Sequence, residues 1–218
     1  MAAEAAALLV EDGMKVGLGT GTTVRYLLPA LARRNLSIRC VSTSERTAAT
    51  AAALGLPVES FSSIDELDLA IDGADQIAPD GWLVKGGGGA HTREKIVAAT
   101  ADRFVVIADS TKPTLALHPP IPVELLSFGV RATVRSLGEV TVRDCPLSPD
   151  GGVIADYQGQ FDDPAELAAR LAATPGVIGH GLFGPDLVSV ILVGRGETVE
   201  QRTLRSLSGR FDGTGSAA

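Results

Sequence analysis

Four consecutive glycines, Gly86 to Gly89, stand between Lys85 and the segment Thr92-Arg93-Glu94-Lys95 in KGGGGAHTREK (85–95). Glycine loses more conformational freedom on folding than any other residue, so a run of four marks backbone that something approaches closely. Backbone N–H groups exposed in such a turn, with Lys85 adding a full charge, can stabilise an oxyanion that develops during a reaction. Glu94 falls in the first turn of the helix that follows, where the helix dipole favours the ionised carboxylate. An ionised carboxylate whose basicity is raised by partial burial suits proton abstraction. Alone, Arg93-Glu94-Lys95 would read as a solvated helix start, and Glu94 takes its meaning from the other motifs.

Ten residues before Lys85 ends a second motif, DGAD, Asp72 to Asp75. Its carboxylates can bind sugar hydroxyls, hold a divalent cation, or cap a turn. A cation is disfavoured because hard cations want several oxygen ligands, whereas the neighbours are a lysine and bare glycine backbone. A third stretch, GLGTGTT (17–23), lets N–H groups meet an anion at the start of a helix. The dinucleotide fingerprint would need glycine at position 22, where Thr22 stands, and an acid after the second strand, where Ser42, Thr43 and Ser44 stand. Hydroxyls at Thr20, Thr22 and Thr23 suit a phosphate monoester better. Lys112, in ADSTKP, is a fourth and weaker candidate. His91, His118 and His180 lack metal or triad spacing, although His91 lies within the glycine stretch and is a candidate cleft residue.

These motifs need a scaffold that gathers them. Strands are expected at 14–19, 37–43, 67–75 and 103–110, alternating with helices at 22–34, 45–55 and 93–101. That alternation predicts βαβ units and a mostly parallel, Rossmann-like sheet with helices on both faces. The apolar runs are nearly continuous, as in strands buried on both sides. An Ala-rich helix precedes them and ends near Gly13. After Pro119-Pro120-Ile121-Pro122 the pattern changes: a helix at 129–138, strands at 139–144 and 151–158, a helix at 162–176, then strands at 177–183 and 186–194. The Asp, Pro and Gly signals around 162–176 mark that helix at both ends. This block reads as a small ferredoxin-like α+β domain, and ETVEQRTLRSL (197–207) as a helix returning to the first domain. The expected division is 1–122 with 195–218 for the large domain and 123–194 for the small one.

A net charge of −7, from 19 Lys and Arg against 26 Asp and Glu, argues against a nucleic-acid or anionic-membrane binder. No apolar run is long enough to cross a bilayer. Cys40 and Cys145 stand apart with no CxxC, as reduced thiols of a cytoplasmic protein do. Only the terminal GTGSAA reads as disordered.

Taken in order, GTGTT, SERT, DGAD, KGGGGAHTREK and ADSTK resemble type A ribose-5-phosphate isomerases, and TPGVIGHGLF extends the resemblance through the small domain. The resemblance implies interconversion of D-ribose 5-phosphate and D-ribulose 5-phosphate through an enediolate, without metal or organic cofactor. By position Glu94 matches the catalytic base. Asp72, Asp75 and Lys85 match residues that handle hydroxyl protons, ring opening and enediolate charge. Thr20, Gly21, Thr22, Thr23, Gly73, Ala74, Gly86, Gly87, Gly88 and Lys112 match substrate-binding positions, with the phosphate near Thr22, Thr23 and Lys112. A homodimer or homotetramer is implied. Gln76 stands where the family usually carries an acid. The first helix lacks a lysine often found near the phosphate, so either the start is truncated or phosphate affinity relies on Lys112 and backbone donors.

Two other classes compete. A non-catalytic sugar-phosphate sensor, like the effector domains of bacterial repressors, should come with a DNA-binding helix-turn-helix and has no need of Glu94 and Lys85 together. An NAD-linked dehydrogenase is opposed by the missing glycine and acid.

Overall fold

The computed structural model describes residues 1–204. Its large sheet takes β1 (Lys15–Leu18), β2 (Arg39–Ser42), β3 (Leu67–Gly73), β6 (Ala101–Asp109), β12 (Val190–Arg195) and β13 (Thr198–Thr203). Their spatial order is β13-β12-β6-β3-β1-β2, parallel throughout except for β13 against β12. Leu67, Leu69, Ala70 and Ile71 of β3 are all buried, because both faces of the sheet are covered. One face packs on α1 (Ala2–Ala7), α2 (Val24–Ala32) and α3 (Glu45–Ala53) through residues such as Ala6, Leu27, Leu28 and Ala51. The other packs on α4 (His91–Thr100) through Val97 and Ala98.

The small unit contains β7 (Ile121–Leu125), α5 (Val130–Leu137), β8 (Val140–Val142), β9 (Val153–Tyr157), α6 (Pro164–Ala173) and β10 (Val177–His180). Its antiparallel order β10-β7-β9-β8, with a helix after its first and third strands, is the expected ferredoxin-like arrangement. Between the units lies a third small sheet of β4 (Gln76–Ile77), β5 (Leu83–Val84) and β11 (Leu182–Phe183).

Several expectations change. The Pro-rich stretch read as a change of pattern contains β7, whose five residues are all buried. Pro122 fits a strand here as its missing N–H costs one ladder bond only. The segment 177–183 divides into two strands of different sheets. The strand expected at 186–194 begins at Val190 and lies in the large sheet beside β6, not in the small unit. ETVEQRTLRSL is not a helix over its described part; Thr198–Thr203 form a hairpin strand with β12, turning at Gly196 (φ 58°). Residues 205–218, including the end of that segment and GTGSAA, lie outside the described residues.

Candidate active site

Parallel strands place all their carboxyl ends on one edge, so the loops after β1, β3 and β6 meet where open α/β sheets take ligands. The β1 loop carries Gly19 to Thr23, the β3 loop carries Asp72 to Asp75, and the β6 loop carries Lys112. Gly19 presses against β3: a Cβ there would lie 1.9 Å from Asp72 Cγ, so only glycine fits.

Lys85, just after β5, is buried at 2% exposure, as are Asp72 at 3% and Glu94 at 4%. Its ammonium lies 2.9 Å from Asp72 Oδ2 and 3.2 Å from Glu94 Oε2, and donates to the Gly73 carbonyl at 2.5 Å. The two facing oxygens, Asp72 Oδ2 and Glu94 Oε2, are buried and accept no hydrogen bond among the described residues, so the ammonium holds them by charge and its only hydrogen bond there goes to Gly73. The other oxygen of Asp72 accepts from the Thr20 and Gly73 N–H groups at 3.1 and 2.7 Å. The result is a water-poor triad of two carboxylates and one cation, carrying one more negative charge than positive if all are ionised.

Burial, and next the Asp72 charge, push the Glu94 carboxyl up to about 8 in spite of Lys85. Burial also raises Asp72, opposed by Lys85 and its backbone donors. For Lys85, burial favours the neutral amine, but the charges of Asp72 and Glu94 outweigh it and raise the pKa. The dipole argument for an ionised Glu94 is therefore overridden: burial is nearly complete rather than partial, and the net direction is up. Both carboxyls are thus shifted toward the protonated form, as expected for two buried acids that share one cation.

Asp75 is exposed and stands apart from the triad, accepting the Gly87 N–H at 2.8 Å. The glycine run has distinct tasks. Gly86 (φ 108°) and Gly89 (φ 73°) adopt left-handed backbone, and a Cβ at Gly86 would lie 2.7 Å from His91 Nδ1. His91 is fully buried and held neutral, its pKa lowered to about 3, chiefly by burial. It packs under the glycine turn and does not line the cleft as a candidate.

Lys112 lines a cleft of about 380 Å³ with Asp75, Gly87, His118 and Arg143, and among the described residues no hydrogen bond joins it to Thr22 or Thr23. Thr20 Oγ1 instead shares a 2.7 Å hydrogen bond with Thr43 Oγ1, and no side chain caps α2 at Thr23. In the first turn of α2 the Arg25 and Tyr26 N–H groups donate to the Gly21 and Thr23 carbonyls at 3.3 and 3.1 Å, which leaves the Val24 N–H and the loop N–H groups before it to meet an anion. Gln76 is satisfied in full by the His118 backbone, its amide donating to the carbonyl at 2.8 Å and accepting from the N–H at 2.9 Å. An acid could accept but not donate there.

Sequence reading passed over two residues. Lys95, taken as solvated, is mostly buried; it donates to the His180 and Leu182 carbonyls at 2.8 Å each and sits 4.9 Å from the Phe183 ring centre. It fixes α4, and so Glu94, to the β10–β11 crossing. Arg143 reaches the glycine turn from the small unit, and no local motif announced it.

Residues 39–198 match the family model described as "Ribose 5-phosphate isomerase A (phosphoriboisomerase A)". The chain is 42% identical over 214 residues to "Ribose-5-phosphate isomerase A" of Nitrobacter hamburgensis, covering 88% of this chain and 92% of that protein. A ribose 5-phosphate isomerase A from Neisseria gonorrhoeae superposes with a TM-score of 0.89 at 32% identity, over 94% of this chain and 95% of that one. A D-ribose-5-phosphate isomerase in complex with phospho-erythronic acid gives 0.86 at 32% identity, over 93% and 96%.

Proposed function

The chain belongs to the ribose-5-phosphate isomerase A family, and we infer from its cleft how it interconverts D-ribose 5-phosphate and D-ribulose 5-phosphate. One observation carries the reading: a buried carboxylate of raised basicity, Glu94, lies 3.2 Å from a buried ammonium that is itself 2.9 Å from Asp72.

Glu94 as carboxylate takes the proton from C2 of the open aldose, and an enediolate forms with its negative charge on O1. The same carboxyl returns the proton to C1, while the O2 proton passes to O1. Net proton count is unchanged. When Glu94 becomes neutral its hold on Lys85 weakens, and the ammonium turns its charge to the enediolate at the step that needs it. Asp72, 2.9 Å away, keeps that ammonium in place. Asp75, exposed and beside Gly87, relays the hydroxyl proton in ring opening. Gly73, Ala74 and Gly86 to Gly88 line the sugar. The phosphate meets Thr20 to Thr23 at the open start of α2, and Lys112 closes the cleft from the β6 loop. No step calls for a metal or organic cofactor.

We place the activity in the cytoplasm, in the non-oxidative pentose phosphate pathway, with a homodimer or homotetramer as the working assembly. The small unit is drawn at 121–180, since β11 and β12 pair outside its sheet. The test is a direct assay of ribose 5-phosphate conversion by the wild type and by Glu94→Gln. Near-normal turnover in that variant removes Glu94 as the base.

A further inference from the structure

Arg143 follows β8 and is fixed by a two-pronged ion pair to Asp156 on β9, Nε to Oδ2 and Nη2 to Oδ1, both at 2.7 Å. Its remaining nitrogen, Nη1, turns to the glycine turn. It donates to the Gly86 carbonyl at 2.9 Å and to the Gly87 carbonyl at 3.1 Å. A surface ion pair alone would be worth little. A guanidinium that spends one edge on a carboxylate and the other on two successive peptide carbonyls sets the orientation of those peptides.

The carbonyl of one residue and the N–H of the next belong to one planar trans peptide and point in opposite directions. With the Gly86 carbonyl on Arg143, the Gly87 N–H must point away from it, and it does, onto Asp75 Oδ2 at 2.8 Å. With the Gly87 carbonyl on Arg143, the Gly88 N–H must point away too. That N–H has no partner among the described residues, and Gly88 is exposed, with Thr20 on its cleft side. Two successive N–H groups on one side of a glycine turn make a concavity that receives negative charge.

We propose that Arg143 is a positioning residue for the isomerisation: by holding the Gly86 and Gly87 carbonyls it turns the Gly87 and Gly88 N–H groups into the cleft, one to fix Asp75 and the other to receive negative charge on the reacting sugar. The small unit thereby takes part in the chemistry without touching the substrate. The inference rests on the isomerase reading above. It separates from that reading because it concerns the alignment of donors and not the base.

The test compares Arg143→Lys, Arg143→Ala and Asp156→Asn with the wild type and Glu94→Gln, measuring kcat, KM and the affinity for phospho-erythronic acid, whose carboxylate carries the negative charge that the reacting carbons acquire. A lysine cannot reach both carbonyls and Asp156 in the same plane. Arg143→Lys should lower kcat by about 10- to 10²-fold, the scale of a misaligned or lost oxyanion donor, with KM changed by less than about threefold. Affinity for phospho-erythronic acid should fall by a similar factor to kcat. Asp156→Asn, which leaves Arg143 its charge but loosens its aim, should give a smaller loss in the same direction. Added methylguanidinium should restore part of the turnover of Arg143→Ala, a response that a purely architectural role would not show. Wild-type kcat in Arg143→Lys, or losses that track only the melting temperature without a change in inhibitor affinity, overturns the proposal. If Arg143→Ala does not fold, the lysine and Asp156→Asn variants still decide it. Activity surviving in Glu94→Gln would instead overturn the isomerase mechanism, whatever Arg143 does.

Discussion

Two glycine-rich loops face each other across the cleft and are built in opposite ways. The turn at 86–89 is gripped from three sides: Arg143 on its carbonyls, Asp75 on the Gly87 N–H, and His91 beneath Gly86. The loop at 19–23 is held by other elements at its start, where Gly19 abuts Asp72 and Thr20 donates to it; beyond Thr20 its bonds run only to the first turn of α2, Gly21 has open space around it and α2 has no side-chain cap. A gripped loop serves a step in which charge shifts between fixed atoms, because donors aligned beforehand need no rearrangement during reaction. An open helix start serves the binding of a group whose charge never changes, and it can tolerate some looseness.

The sharpest way to test that division is at the base. Glu94→Gln should lower turnover by at least ~10²-fold while substrate binding persists. In the wild type, kcat/KM should rise with pH through about 8 as Glu94 loses its proton. Stability moves the other way. The folded-state pKa is raised from 4.5 to about 8, so the protonated carboxyl stabilises the fold below the unfolded value, and that contribution is lost as pH rises to about 8. Melting curves of Glu94→Gln should therefore lack this decline between pH 4.5 and about 8, and an identical decline in both proteins would sink the raised value.

Next in size is Lys85→Ala. It leaves two buried carboxylates without their cation, so kcat should fall more than KM rises, and the pH profile should move further alkaline. A change in KM alone would deny Lys85 its part in the transition state. Gly19→Ala acts at the root of the open loop, against β3. Its Cβ, 1.9 Å from Asp72 Cγ, forces β1 and β3 apart, an overpacking cost of about 1–3 kcal/mol with turnover falling alongside. Unchanged chemical denaturation would show that the loop yields more easily than its packing implies. Smallest should be Thr22→Ala, on the open loop: KM rises a few-fold, roughly a net hydrogen bond, and kcat holds. A kcat effect as large as that of Arg143→Lys would erase the distinction between the loops.

What could be read from sequence follows from how local each signal is. The strands that end in GTGTT, DGAD and ADSTK are continuous apolar runs, and the α6 cap is a neighbouring Asp, Asp163, accepting from Ala165 at 2.7 Å. Such patterns are written within a few residues. β7 escaped because prolines flank and enter it, yet its partners β9 and β10 lie 28 or more residues on. β12 escaped assignment to the large sheet because its apolar run fits either sheet, and only pairing with β6 decides. β13 is mostly exposed and polar, without the continuous apolar run of the other sheet strands, and only the hairpin to β12 makes it a strand. Within the site, Glu94 and Lys85 were legible by spacing. The depth of their burial was not, since it depends on Phe183 and β11, which arrive from the far side of the small unit. Arg143 has no local signature at all.

The chain enters the small unit at β7 and leaves it at Gly181, and both crossings meet at the backbone of Lys85. Gly181 donates to the Pro122 carbonyl at 2.7 Å and accepts from the Lys85 N–H at 2.8 Å, in a space where a Cβ would lie 2.1 Å from the Lys85 carbonyl oxygen. The register between the small unit and the Lys85 backbone is therefore set at Gly181, and a side chain there would displace both together.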